Sequence, residues 1–356
     1  MTIYTQQRFY FMTLDPVHIG AGGYRLGRVD NTIAREPGTN LPKIPGTSLA
    51  GAARSYAALR YGKPDAAGQH NVFQKSIRKL SDDDKQGAKN KCPIIYTFGT
   101  ATDAGGGQAG TVSIGDAQIL FFPVASMAGP IWVSTIDRIK DAWVEGKIKL
   151  PKNGETEIVP TDTKENAQVV TSLNWEGKEL NLGWLLFACT KGLSIEAPDE
   201  LKDKDEWMAI KDRVVLTTPK LFSQIVNSNL EVRTSVAINA ETGAAEDGAL
   251  FTYEAIPRAT WLWGDVIEDN YAVLNRRLFP VTTKQCKVTI TKEGEEETRD
   301  YKDNQGEELG ATWSRPLDVV NAGFKLIEFL GVGGMGTRGF GRLRTVGSQT
   351  INGGAQ

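Results

Sequence analysis

Histidine is nearly missing from this chain: His18 and His70 are the only two in 356 residues. A zinc site built on several histidines is therefore excluded. Cysteine is almost as scarce. Cys92, Cys189 and Cys286 are far apart, odd in number and without metal-ligand spacing. They read as small buried residues of a protein kept in a reducing cytoplasm. No apolar run is long enough to span a bilayer. Residues 1–11 carry polar side chains where the apolar core of a secretory signal would lie. The expectation is a cytoplasmic protein with no membrane partner. A large charge excess is absent too: the net charge is −2, which by itself points to no partner.

What is present is a local imbalance. Residues 1–80 hold eleven Lys and Arg against Asp15, Asp30, Glu36 and Asp65, an excess of seven positive charges, and residues 293–308 form an acidic patch elsewhere. A basic segment on a near-neutral chain suggests a localised face for a polyanion, with an unevenly solvated surface as the alternative. The chain is long enough for one elaborated domain or two.

The second conspicuous feature lies near the C-terminus. Six glycines fall between Gly331 and Gly341. Before them Leu317, Val320, Phe324, Ile327 and Leu330 recur at helical spacing, and after them residues 342–346 alternate like a strand. The order helix, glycine loop, strand excludes a mononucleotide P-loop and a dinucleotide fingerprint, both of which run from strand to helix. Two readings stay open: a flexible surface turn, or a cradle of N–H groups for phosphate flanked by Arg338 and Arg342.

Residues 8–14 read as a buried first strand. Asp30 falls in a loop or irregular strand among Arg25, Arg28 and Arg35. Thr47 or Ser48 is placed to cap a helix whose face carries Leu49, Ala52, Ala53, Tyr56 and Leu59, and whose N-terminus could face an anion. Residues 97–110 are glycine-rich and read as a surface loop. Strands are expected at 111–124 and 131–134, helices at 135–144 and 219–226, buried runs at 169–173 and 184–189, and a charged insertion at 196–212. Residues 230–238 and 249–256 pair across a turn-rich link as a hairpin; 260–267 is a further strand, and 286–291 with 297–301 makes a second hairpin. Of Trp261 and Trp263, at least one packs in the core. Strands and helices alternate irregularly, so the fold class is α+β.

Three stretches taken together resemble one superfamily: His18-Ile19-Gly20; Ile44-Pro45-Gly46-Thr47-Ser48-Leu49 followed by Gly51-Ala52-Ala53-Arg54; and the terminal glycine loop. They are similar to the RAMP proteins of CRISPR effector complexes. The segment from Leu26 to Glu36 around Asp30, the stretches Val112 to Ala117 and Phe122 to Val124, and the segment from Val232 to Glu254 narrow the resemblance to the backbone subunit of type III-B (Cmr) complexes, with a type III-D relative left open by the chain's length.

The resemblance implies an RRM-like (ferredoxin-like) palm with an inserted β-hairpin thumb at about 230–257. The whole of 1–356 would be one RAMP domain, with an extra hairpin insertion at about 279–308. It implies copies stacked in a filament along a crRNA guide, beside the large polymerase-like subunit and small subunits, and cutting of complementary target RNA at regular intervals. Asp30 matches the loop carboxylate of the family, as catalytic residue and ligand of a divalent metal, Mg2+ or Mn2+; His18 matches a nearby histidine. Lys43, Gly46, Thr47, Ser48, Arg54, Gly333, Gly334, Gly336, Thr337, Arg338, Gly339 and Arg342 are the implied RNA contacts.

Two departures stand out. Ala50 occupies the place of a family lysine, and Tyr253-Glu254-Ala255 replaces a Glu-Glu-Tyr. Each site residue has a plainer reading beside the functional one: Asp30 as a turn residue, His18 as a structural hydrogen-bonding group, Arg54 as a solvated helix residue. A non-catalytic guide-binding scaffold, and a metal-free guide-processing ribonuclease using histidine, are the competing functions.

Overall fold

In the computed structural model the described residues are 3–22, 29–62, 66–67, 92–100, 107–163, 167–245, 250–269, 278–280, 287–292, 295–300 and 313–351. Arg25, Arg28, Lys63, His70, Lys75, Arg78, Lys79, Cys286 and much of the 97–110 loop lie outside them. The elements that position the site are β1 (Tyr4–Thr13), α1 (Gly46–Arg60), β2 (Ala117–Ser126), β3 (Glu231–Ser235), β4 (Phe251–Ala255), β5 (Trp261–Asp269), α2 (Pro316–Leu330) and β6 (Leu343–Ile351).

Strand β1 is apolar on both faces because a core lies on each side of it. Successive side chains point to opposite faces. Phe9 and Phe11 meet Phe324 of α2 edge-on, at ring distances of 5.1 and 5.3 Å. Tyr10 points the other way, into a cluster with Leu120, Phe121 and Trp261. The order β2-β5-β1-β6 is antiparallel throughout: Met12 pairs with Trp261 and with Arg344, and Trp261 with Phe121. Beyond β2 the sheet continues through Gly129–Ser134, Val214–Leu216, Ala167–Thr171, Leu185–Lys191 and Glu179–Leu182. Two of these steps are parallel, so the sheet is mixed.

Helices α1 and α2 pack against each other over one face of this sheet. Their contact is as close as backbone allows: a Cβ at Gly323 would lie 2.3 Å from the carbonyl oxygen of Ala53. Leu49, Ala53 and Ala57 are buried at the contact, whereas Leu59, expected on the same face, is exposed. The helix starts two or three residues earlier than its Thr-Ser signal suggests. Pro45 is the N-cap and Gly46 the first helical residue, so neither Thr47 nor Ser48 caps.

Three further expectations are corrected. The strand expected over 111–124 breaks at Gly115–Asp116 into Val112–Ile114 and β2. Residues 196–212 are no mere charged insertion. They bury Leu201, Trp207 and Ile210 on the sheet face opposite α1 and α2, with Trp207 packed on Trp143 and Phe121. Residues 184–189 are not a buried run: Trp184 is 78% exposed at the turn joining the edge strand Glu179–Leu182 to its neighbour, and Leu186 is also exposed. A turn at the periphery of a sheet runs over the protein surface.

Trp261 is fully buried, while Trp263 is half-buried beneath the Arg8 guanidinium, 4.1 Å from the ring centre. Strands β3 and β4 pair as a hairpin from Glu231–Ala255 to Ser235–Phe251. A second hairpin pairs Lys287–Lys292 with Glu295–Asp300, across a shorter link than the sequence pattern predicts.

Candidate functional site

Strand β4 is where the distant site segments meet. A parallel bridge joins Asn31 to Tyr253: the Asn31 N–H donates to the Thr252 carbonyl at 3.0 Å, and the Glu254 N–H to the Asn31 carbonyl at 3.2 Å. The loop of Asp30 therefore lies along the hairpin like a short added strand. The segment around His18 follows on its other side, paired to residues 32–34 and, through Val17, to Ile256 just past β4.

Asp30 is exposed. Its Oδ2 accepts the N–H of Thr252 at 2.7 Å and the Thr252 hydroxyl at 3.0 Å. In return the Asp30 N–H donates to Thr252 Oγ1 at 3.1 Å. Hydrogen bonds to the charged form favour it. The backbone N–H of Thr252, then its hydroxyl, hold the Asp30 carboxyl below the usual carboxylate range. The group is thus an exposed carboxylate anion at neutral pH with a fixed orientation.

His18 is buried, at 5% exposure. Its Nδ1–H donates to the Glu254 carbonyl at 2.7 Å, and its ring meets Tyr253 edge-on. The carbonyl of His18 accepts the N–H of Gly334 at 3.0 Å. These contacts make His18 the peg between hairpin and glycine loop. Glu254 is buried next to it. Its Oε1 accepts Arg35 at 2.7 Å and the N–H of Ile33 at 3.0 Å, closing the far end of the Asp30 loop. A buried carboxylate needs such partners.

The glycine loop is ordered, not a flexible turn. Val332 N–H donates to Gly341 O, Gly341 N–H to Pro16 O, and Arg338 N–H to Met335 O, all at 2.8–2.9 Å. Gly333 has φ of +88°, and a Cβ there would lie 2.6 Å from the His18 carbonyl oxygen, so both conformation and space demand glycine. Phe340 seats the loop on Tyr253 at 5.4 Å. Gly336 and Thr337 open a single 3-10 turn that ends at Arg338, with Gly339 following in the left-handed region. Arg338 is exposed and lies over the Phe251 ring.

Between this loop and α1 runs a groove of about 340 Å³, lined by Ser48, Gly51, Ser55 and Tyr56 on the helix and by Gly333 and Gly336 on the loop. Thr47 is exposed on the first turn of α1. The structure thus brings together the two glycine-bearing segments that sequence singled out.

Apart from Arg338, it does not leave their cations free. Lys43 pairs with Asp116 at 2.5 Å, and Asp116 also accepts the N–H of Gly46 at 2.8 Å. The anion at the α1 N-terminus is this internal carboxylate. Arg342 makes a two-point pair with Asp15, at 2.5 and 3.1 Å. Arg54 is largely sequestered, its Nε donating to the Ala66 carbonyl at 3.0 Å. Arg8 is buried against Asp265. Of the five Lys and Arg described in the first eighty residues, Arg8, Arg35 and Lys43 are thus paired with carboxylates from far along the chain.

For a divalent metal the donors are few. Among the described residues, no three His, Cys, Asp or Glu side chains gather to hold an ion. The nearby Glu254 is already taken by Arg35 and Ile33. Asp30 alone makes no protein-built cage. Two residues of this site escaped sequence reasoning in their roles, Thr252 and Arg35. The i, i+2 spacing of Thr252 and Glu254 on a strand was the available signal, since it puts both on one edge facing the same neighbour.

Comparison with known proteins gives consistent results. A family model described as the RAMP superfamily matches residues 10–344. The chain is 31% identical over 260 residues to the CRISPR system Cmr endoribonuclease Cmr4 of Pyrococcus furiosus, covering 72% of this chain and 79% of that one. Over 77 residues it is 35% identical to the CRISPR system Cms endoribonuclease Csm3 of Enterococcus italicus, covering 21% of this chain and 36% of that one. The fold is similar to a chain of the type III-B Cmr-beta complex in its apo state, with a TM-score of 0.52 at 12% identity over 98% of both chains. A chain of the type III-B Cmr-beta complex bound to cognate target RNA gives the same score and identity, over 97% of this chain and 99% of that one.

Proposed function

The chain belongs to the RAMP superfamily, and from that premise we propose that it is a crRNA-binding backbone subunit of a type III CRISPR effector complex, whose Asp30 loop cuts complementary target RNA. The observation that carries this reading is an exposed carboxylate, held ionised and oriented by Thr252, on a chain similar over most of its length to a Cmr endoribonuclease. Several copies would stack along the guide, with the large and small subunits of the complex as further partners.

The antiparallel order β2-β5-β1-β6, with α1 and α2 on one face, supports reading that core as an RRM-like palm. Hairpin β3–β4 is then the thumb, and the hairpin at 287–300 an insertion in a single domain. The groove between α1 and the glycine loop is the proposed seat of the guide backbone. Ser48, Thr47, the N–H groups at Gly336 and Thr337, and Arg338 would meet phosphate there. No helix of the described residues is long and apolar enough to cross a membrane.

In the cut itself, the Asp30 carboxylate is placed to hold the proton of the attacking hydroxyl. Thr252 keeps it oriented, and Glu254 with Arg35 keeps its loop against the hairpin. A divalent cation, Mg2+ or Mn2+, would be taken by Asp30 only together with phosphate oxygens of the bound RNA. Such an ion would neutralise charge developing on the phosphate.

The assembled complex carrying Asp30→Ala should bind guide RNA normally and leave target RNA uncut. Cutting at every interval would overturn the assignment. A scaffold that never cuts is the second reading, favoured by the lack of a second free acidic donor beside Asp30 among the described residues; it expects no cleavage by the unaltered complex either.

A further inference from the structure

We propose that Thr252 is the positioning residue for Asp30, latching the carboxylate and its loop to the hairpin strand. This rests on the reading of Asp30 as the cutting residue and goes beyond it by naming what aims that residue. The geometry is reciprocal. The Thr252 hydroxyl accepts the Asp30 N–H at 3.1 Å and donates to Asp30 Oδ2 at 3.0 Å, and the Thr252 N–H donates to the same oxygen at 2.7 Å. Three hydrogen bonds between two residues, 222 positions apart, define both the loop backbone and the side-chain torsion.

Two consequences follow. Both bonds to the carboxylate end on Oδ2, so Oδ1 is the oxygen turned over to the substrate. An exposed aspartate without such ties samples several rotamers, whereas this one is held in one of them before RNA arrives. The next two positions of the strand extend the grip. Asn31 is bridged to Tyr253, and Ile33 and Arg35 both donate to Glu254 Oε1. The loop from Asp30 to Arg35 is therefore registered on residues 252–254, and any displacement of the hairpin by bound RNA is carried to Asp30.

Thr252→Val tests the latch. It keeps the branched shape and the backbone N–H and removes only the hydroxyl, hence two of the three bonds. The assay uses complex assembled on its guide, with single-turnover cleavage measured across target concentrations. Maximal cleavage should fall about 10- to 100-fold, the scale expected when a reacting group is misplaced by about an ångström. Half-saturating target and guide content should stay unchanged. Thr252→Ser, which restores the hydroxyl, should recover most of the rate.

If Thr252→Val cuts at the unaltered rate while Asp30→Ala is dead, the latch is refuted and the role of Asp30 stands. If Asp30→Ala itself cuts normally, the underlying reading fails. A loss of target affinity in place of rate, or no recovery with Ser, makes Thr252 a merely structural residue and also overturns the proposal. Should Thr252→Val fail to assemble, Thr252→Ala lacks the same hydroxyl and is read by the same criteria.

Discussion

Lys43 and Asp116 form an ion pair at 2.5 Å at the N-terminus of α1, where the same carboxylate also accepts the N–H of Gly46. The helix end most suited to an external phosphate is thereby closed by an internal one-residue anion. Guide RNA meeting α1 would do so along its flank, at Thr47, Ser48 and Ser55, and not head-on at its first N–H.

That pair predicts a pH signature. Burial pushes the Asp116 carboxyl up, but hydrogen bonds from Lys43 and Gly46 and the charge of Lys43 outweigh it and hold the group below its usual range. A depressed carboxyl contributes stability that is present above its unfolded value, about 3.9, and is lost as pH falls through the folded value. Asp116→Asn should therefore be less stable by roughly 1 kcal/mol near neutral pH, a figure kept small because the side chain is partly solvated. In urea unfolding the gap to the unaltered protein should begin to narrow below about pH 4 and shrink further as the pH is lowered. A gap that stays constant on acidification would place the effect elsewhere.

The contact of α1 with α2 makes Gly323 intolerant of any side chain. In an exposed helix Gly→Ala gains up to about 1 kcal/mol. Here the added methyl would sit 2.3 Å from the Ala53 carbonyl oxygen, so the sign should reverse, with a net loss of about 1–3 kcal/mol from overpacking. Denaturant midpoints of Gly323→Ala measure it; a stabilised variant would show that the helices can separate freely.

Breaking the buried pair under the sheet should be costlier. Arg8 donates Nε and Nη2 to the two oxygens of Asp265, each at 2.8 Å, and lies against Trp263. Arg8→Ala leaves Asp265 without its cation and should destabilise by about 3 kcal/mol, the lower end for a buried pair because Asp265 is partly exposed and still accepts Gln6 Nε2. The double variant Arg8→Ala with Asp265→Ala should recover part of that loss in the same unfolding experiment.

RNA binding separates two arginines of the glycine loop. Arg338 stacks on Phe251 with its charge outward, whereas Arg342 is matched by Asp15. Arg338→Ala should weaken guide binding and lower the slope of log affinity against log salt by about one. An unchanged slope would remove Arg338 from the phosphate contacts.

Gly333→Ala should weaken the same binding by another route. Its φ of +88° and the His18 carbonyl 2.6 Å from a Cβ would force the loop off its peg. A strained backbone of this kind costs about 1–3 kcal/mol. Guide affinity and melting temperature should fall together, while Gly38→Ala, which has open space and lies away from the groove, serves as the control.

Part of this was legible beforehand. The apolar run of β1, the turn formers between β3 and β4, and the helical spacing of α2 marked those elements. Burial on the sheet face opposite the helices was not legible: Leu201, Trp207 and Ile210 are scattered among charges, and their spacing has no single period. Local charge misled in the same way. Lys43 and Arg342 look like phosphate contacts in sequence and Arg8 adds to the basic excess, yet each is answered by a carboxylate 73 to 327 positions away.

The order of short motifs from His18 to Arg342 resembled the RAMP pattern closely enough to point to the superfamily, and the terminal glycines stay readable in sequence because several take positive φ. Only the tertiary structure decided what each residue touches. It seated Asp30 on Thr252, turned His18 inward to Glu254, and neutralised Lys43 and Arg342. Hydrogen bonds and ion pairs act over about 3 Å, and a linear sequence does not say which residues come that close.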